Sequence, residues 1–215
     1  MKNGLTWIVP IVDESGSMGE IKSDTIGAYN SFISEQKKVE GEALVNLVKF
    51  NTKIEKVYES SIQNAQLLDD NTYRPKDWTR LYDAIGHTIK DVKDKIKSLK
   101  DEDKPEKVLV VIITDGKENR SRDFNRDQIF EKIKKLEKKY NAVFLYLGAN
   151  QDAFEEGNKI GINKFNTVTW EADSSGVNTA FASVNTYAKK YRTTSAIDFS
   201  ADLNQIYKEE EQKNS

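Results

Sequence analysis

The chain has 215 residues, 37% hydrophobic and 32% charged, with Lys+Arg 33 against Asp+Glu 35 and a pI of about 5.7. That length favours one domain with a sizeable core, and the balanced charge gives no basic excess to draw it to nucleic acid or an anionic membrane. Zero cysteines exclude disulfides, thiolate metal sites and thiol catalysis, and a single histidine argues against multi-histidine zinc sites and histidine-based triads.

Leu5–Val12 is a short apolar run ended by Asp13. Lys2 ahead of it imitates a secretion signal, but Pro10 interrupts the run and no small-residue cleavage site follows, so it reads as a strand. Ile26, Tyr29 and Ile33 share one face of a first helix. Ala43–Phe50 and Ile54–Ser60 read as strands joined in a hairpin through Asn51-Thr52-Lys53. Residues 61–78 read as a polar connection. Leu81, Ile85, Ile89, Val92, Ile96 and Leu99 mark a long second helix, followed by a charged turn over residues 100–107. Val108–Ile113 and Ala142–Leu147 are continuous apolar runs of the kind buried on both faces of a parallel sheet. Ile129, Ile133, Leu136 and Tyr140 mark the helix between them. Phe165–Trp170 is a weaker strand, and Val177, Phe181, Val184 and Ala188 mark a fourth helix.

After Arg192 the composition shifts. Thr193-Thr194-Ser195 reads as a linker, and Phe199, Leu203 and Ile206 as a short amphipathic helix ahead of the charged end Lys208–Ser215. That helix docks on the parent domain or on a partner. The expected division is a domain over 1–191 and a linker with a tail over 192–215. No apolar run approaches the roughly 18 residues of a membrane span, and a cytoplasmic location is expected. Alternating strands and helices predict an α/β fold in which the hairpin supplies one antiparallel edge strand. Pro10 stands against a central first strand, because it removes a ladder donor. It predicts a bulge or an early end to pairing on one side.

The chemistry gathers at strand ends. Asp13-Glu14-Ser15-Gly16-Ser17-Met18 follows the first strand, and in a tight loop alternate side chains can converge while Gly16 permits the bend. Carboxylate and hydroxyl oxygens are hard ligands suited to magnesium, manganese or calcium. The plainer reading is a turn whose Ser17 caps a helix starting near Glu20. Thr114-Asp115-Gly116 closes another strand. If the two strands are neighbours, Asp13 and Asp115 meet at one site, where ligands of open α/β sheets collect. Thr79, in Trp78-Thr79-Arg80-Leu81-Tyr82-Asp83-Ala84, is placed as the N-cap of the long helix, contributing about 1 kcal/mol, and can also turn its hydroxyl to a metal. Asp83 reads as a helix-start charge or an acceptor behind the ligands.

These three elements, in this order, resemble a von Willebrand factor type A domain over roughly residues 4–190: D-x-S-x-S at Asp13, Ser15 and Ser17, T-x-L-x-D-A at Thr79–Ala84, and T-D-G at Thr114–Gly116. The resemblance implies a Rossmann-like, doubly wound, mostly parallel sheet with one antiparallel edge strand and helices on both faces. It also implies a metal-ion-dependent adhesion site on the sheet's upper edge. It gives Ser15, Ser17 and Thr79 as direct ligands of Mg2+, or alternatively Mn2+ or Ca2+, with Asp13 and Asp115 direct or water-mediated. A protein partner's Asp or Glu carboxylate would complete the ion, and a stand-alone bacterial or phage-type member is suggested. Arg80 departs from the proline that many members carry there, and Trp78 is bulky.

Two other classes stay open. Asp13 could be the nucleophile of a magnesium-dependent phosphohydrolase or phosphotransferase. The haloacid-dehalogenase-like pattern, however, wants an aspartate where Ser15 stands, and a serine hydrolase would need a base where the only histidine, His87, is not. A metal-free interaction scaffold is the third. Arg120, Arg122 and Arg126, with Arg80, form either a positive rim for an acidic partner or a solvated loop. Gly148-Ala149-Asn150-Gln151-Asp152 belongs to the same edge or simply leads into a helix. His87 reads as structural. The Lys/Glu-rich stretches Lys90–Lys107 and Glu131–Lys139 read as solvated faces, since acids interleave them.

Overall fold

The computed structural model describes residues 2–150, 152–195 and 199–214. Six strands, β1 (Lys2–Asp13), β2 (Ala43–Phe50), β3 (Ile54–Ser61), β4 (Pro105–Thr114), β5 (Ala142–Ala149) and β6 (Thr167–Trp170), form one sheet. Their order is β3-β2-β1-β4-β5-β6, with β3 alone antiparallel. The helices are α1 (Lys22–Lys38), α2 (Leu81–Ser98), α3 (Arg126–Tyr140), α4 (Ala153–Lys159), α5 (Ser174–Thr193) and α6 (Leu203–Asn214). This is the doubly wound α/β architecture expected from the sequence.

The apolar strands have no polar face because both sides are covered. On β1 and β4, Ile8, Val12, Leu109, Val111 and Ile113 point to α1 and α5, while Trp7, Ile11, Val108, Val110 and Ile112 point to α2 and α3. Burying a side chain of this size contributes about 1.5–3 kcal/mol. Strand order runs outward in opposite directions from β1 and β4, so a crevice opens above their C-terminal ends. Val12 pairs with Ile113 in that register, which sets Asp13 beside Thr114 and Asp115.

Pro10 produces neither the bulge nor the early end. Its backbone pairs with Val111 of β4, and on the β2 side the ladder passes over Val9 and Pro10, resuming at Ile11↔Val48 in unchanged register. The missing N–H therefore costs a local gap, not the strand.

Other expectations need correction. Residues 61–78 are not merely polar: Ile62, Ala65, Leu68 and Tyr73 are buried in them. Strand β4 begins at Pro105, inside the expected charged turn, because Lys107 is buried and its Nζ donates to the carbonyls of Tyr191, Arg192 and Thr194 at the end of α5. Arg192 is buried as well, donating to carbonyls of Gln36, Val39 and Gly41. Helix α6 extends through Asn214, into the stretch read as a charged end. Leu203 and Ile206 are buried against the body, and Phe199 packs edge-on against Tyr187 and Tyr191 at 5.2 and 4.9 Å. Residues 196–198 and 215 of that tail lie outside the described residues. No helix among the described residues is long and apolar enough to cross a membrane.

Candidate functional site

The loop after β1 is held from three directions. Asp13 is fully buried; its Oδ1 accepts from the Ser15 amide at 2.7 Å and its Oδ2 from Thr114 Oγ1 at 2.6 Å. Its carbonyl accepts from the buried Tyr73 hydroxyl at 2.6 Å. Glu14 turns inward to the Lys49 ammonium at 3.0 Å and the Arg74 amide at 2.6 Å, and the Gly16 amide donates to the Asp77 carbonyl at 3.1 Å. Asp77 occupies the left-handed region at φ 66°, a strained conformation for a residue with a side chain.

Ser17 does not cap α1. It sits in a 3-10 turn over Gly16–Gly19, and the helix begins at Lys22 with Ile21 at its N-cap. The Ser17 hydroxyl instead donates to Asp115 Oδ1 at 2.7 Å and lies 3.3 Å from Ser15 Oγ. Asp13, Ser15, Ser17 and Asp115 are thereby gathered at one end of the β1–β4 seam.

Thr79 does not cap α2 either: the N-cap position is Arg80, without a side-chain bond. Glu118 and Ser121 of the β4–α3 loop take that role, accepting from the Tyr82 amide at 2.9 Å and the Asp83 amide at 3.0 Å. Thr79 is buried, its amide donating to Asn119 Oδ1 at 3.2 Å. A Cβ on Gly116 would lie 3.0 Å from Thr79 Oγ1 and 3.7 Å from Asp13 Oδ2. Thr79 therefore faces Asp13 across a space that the glycine leaves open.

Burial pushes the Asp13 carboxyl up to about 7, against the pull of its hydrogen bonds to Thr114 and Ser15, and burial also raises Asp115. No lysine or arginine offsets either group among their described neighbours. Two hard carboxylates without counter-charge beside hydroxyl oxygens, with a glycine gap between Asp13 and Thr79, form a donor set that fits a divalent cation. Among the described residues no group of three or more His, Cys, Asp or Glu is placed to hold a metal ion, so a cation here would rest on those two carboxylates and on hydroxyls.

Asp83 lies behind this site. It is fully buried and accepts from the amides of Arg122, Asp123 and Phe124 at 2.8–2.9 Å and from Arg80 Nε at 2.8 Å. Burial pushes its carboxyl up, but these donors outweigh it and hold it below the ordinary range. Arg80 is thus spent on Asp83, the Thr52 carbonyl and Asp123, and takes no part in a free positive rim. Arg126 pairs with Asp127, while Arg120 stacks 4.7 Å over Trp78, which is 56% exposed beside Thr79. His87 lies 2.8 Å from Asp123 and edge-on to Phe124. In the loop after β5, Asn150 accepts from the Ala172 amide and Asp152 caps α4, as a loop leading into a helix does; Gln151 lies outside the described residues.

The model of the von Willebrand factor type A domain matches residues 8–183. The chain belongs to that family. Solved structures agree with the fold of this von Willebrand factor A domain. Proximal thread matrix protein 1 from the mussel byssus is 17% identical, over 81% of this chain and 45% of its own, with a TM-score of 0.58. A von Willebrand factor type A protein from Catenulispora acidiphila is 14% identical, over 86% and 43%, at 0.57. The mussel protein with a zinc-occupied MIDAS motif is 14% identical, over 86% and 46%, at 0.56. The chain spans less than half the length of these structures. No curated protein matches it.

Proposed function

We propose that this von Willebrand factor A domain is a divalent-cation-dependent protein-binding module. In this reading Ser15, Ser17 and Thr79 are direct ligands and Asp13 and Asp115 bind directly or through water. Mg2+ is the favoured ion, with Mn2+ and Ca2+ as alternatives. The observation that carries the reading is the pair of uncompensated aspartates beside hydroxyls at the strand-order switch. The zinc-occupied motif of the mussel relative supports it.

A bound cation supplies a Lewis-acidic centre that a carboxylate oxygen of the partner completes. The chain's own residues hold the donors still and keep the approach open. Thr114 and the Ser15 amide fix both oxygens of Asp13, Ser17 orients Asp115, and Gly116 leaves room beside Thr79. Two aspartates balance a divalent charge, leaving the centre able to take an outside anion. Exposed Trp78 and its stacked Arg120 flank the approach and suit an acidic residue of the partner. Asp13 has less to recommend it as a nucleophile, because it is fully buried and both its oxygens already accept hydrogen bonds. The cysteine-free composition suits a cytoplasmic setting.

Titration calorimetry of EDTA-stripped protein with Mg2+, Mn2+ and Ca2+ tests the site. One-site binding in the wild type, lost in Asp13→Ala and weakened in Ser15→Ala, is the expected result. Equal binding in wild type and Asp13→Ala would overturn it.

A further inference from the structure

The α2–α3 face carries a second feature with no part in the aspartate edge. Six lysines, Lys90 and Lys93 from α2 and Lys132, Lys135, Lys138 and Lys139 from α3, line an open groove of about 750 Å³. Asp94 is the one carboxylate on its wall among the described residues. In sequence, acids interleave these lysines and balance their charge; helical geometry sorts them apart. Asp91 falls on the other flank of α2, in a cleft with Arg80, His87 and Asp123, and Glu137 pairs with Lys134 outside the groove at 2.8 Å.

Of the six, only Lys135 has an ion pair among the described residues, an exposed one with Glu131 at 3.4 Å. Lys132 is half-buried; burial, and then the charges of Lys93, Lys135 and Lys90, hold its ammonium below its ordinary value. The groove is floored by apolar groups. Ile89 and Leu136 close its base and Tyr140 its end, with Lys139 lying 5.4 Å over the Tyr140 ring.

We propose that this groove binds an acidic, amphipathic segment of a partner protein, its carboxylates meeting the two lysine rows and its apolar side chains resting on Tyr140. Charge complementarity selects the occupant, and three features favour a peptide over nucleic acid. The cations are all lysines, without the planar forks that grip phosphate in two places. Tyr140 is the one aromatic ring in the lining among the described residues, where single-strand binding stacks successive bases on several. An open groove of about 750 Å³ takes a short peptide segment and not a duplex. The proposal stands apart from the cation site, since none of Asp13, Ser15, Ser17, Thr79 and Asp115 lines the groove.

The test is fluorescence anisotropy of a labelled peptide of Glu-Glu-Leu repeats with the full chain, in EDTA. Saturable binding is expected, weakening as salt screens exposed charges over a Debye length of about 10 Å at 0.1 M. The triple variant Lys93→Gln, Lys135→Gln, Lys138→Gln should weaken it about tenfold or more. All three side chains are exposed, and unchanged circular dichroism verifies that the variant is folded. The same peptide with Gln for Glu should not bind. Binding that survives the triple substitution, absence of binding by wild type, or tighter binding of a single-stranded oligonucleotide of equal charge would each overturn the proposal.

Discussion

Gly116 shows how much can turn on one missing side chain. The gap it leaves is bounded by Thr79 Oγ1 and Asp13 Oδ2, at 3.0 and 3.7 Å from where a Cβ would stand. Gly116→Ala should therefore lower Mg2+ affinity about tenfold, equivalent to about 1.4 kcal/mol, while the thermal midpoint stays near that of the wild type. Calorimetry beside a melting curve checks both, and unchanged affinity would show that the gap is not the cation's. Asp13, Ser15, Ser17 and Asp115 were legible because a short loop and two strand ends leave their side chains few places to go. Thr114 was visible as part of a strand end, yet nothing in the linear pattern says that its hydroxyl holds Asp13. Tyr73 was hidden altogether: it sits alone in an irregular stretch, where no periodicity marks an inward-facing residue.

Helix α2 depends on a loop far along the chain. Glu118 and Ser121 satisfy amides of its first turn, and Asp83 of that turn gathers the amides of Arg122, Asp123 and Phe124. The two segments cap one another. Asp83→Ala strands three backbone donors and removes the buried one of Arg80's two carboxylate partners, and it should cost about 3 kcal/mol or more in urea denaturation. Asp123→Asn, on the exposed side of the same loop, should stay within about 0.5 kcal/mol. Equal effects from the two would remove the clamp from the account. This reciprocity explains what the sequence could and could not disclose. The hairpin reading defines β2 at its observed bounds, and the six-residue stripe runs from the first residue of α2 to one past its last. The true cap lies nearly forty residues away, so a local rule assigned it to Thr79. Helix α4 has seven residues and no stripe to announce it.

Stability of the whole chain carries the imprint of Asp13. Its carboxyl is raised to about 7 in the folded state, against 3.8 as the unperturbed value. A raised acid favours folding fully below the unfolded pKa, and that benefit is lost as pH rises through the folded one. The cation-free protein should accordingly lose about 4 kcal/mol between about pH 4 and pH 7 from this group. Urea midpoints in EDTA at about pH 5 and about pH 8 measure the slope, and Asp13→Asn should flatten it. A slope of the same size in that variant would place its origin elsewhere. The order of the strands has a consequence in time as well as in space. Strand β1 is an inner one, flanked on one side by β2 and on the other by β4, which meets it across 101 residues. Arg192 reaches back 156 residues to tie α5 to α1. Non-local pairing of this kind slows folding. During synthesis β1 thus keeps one flank bare until the 101 residues up to its β4 partner have been made. That interval is when the protein is most open to chaperone capture or to aggregation.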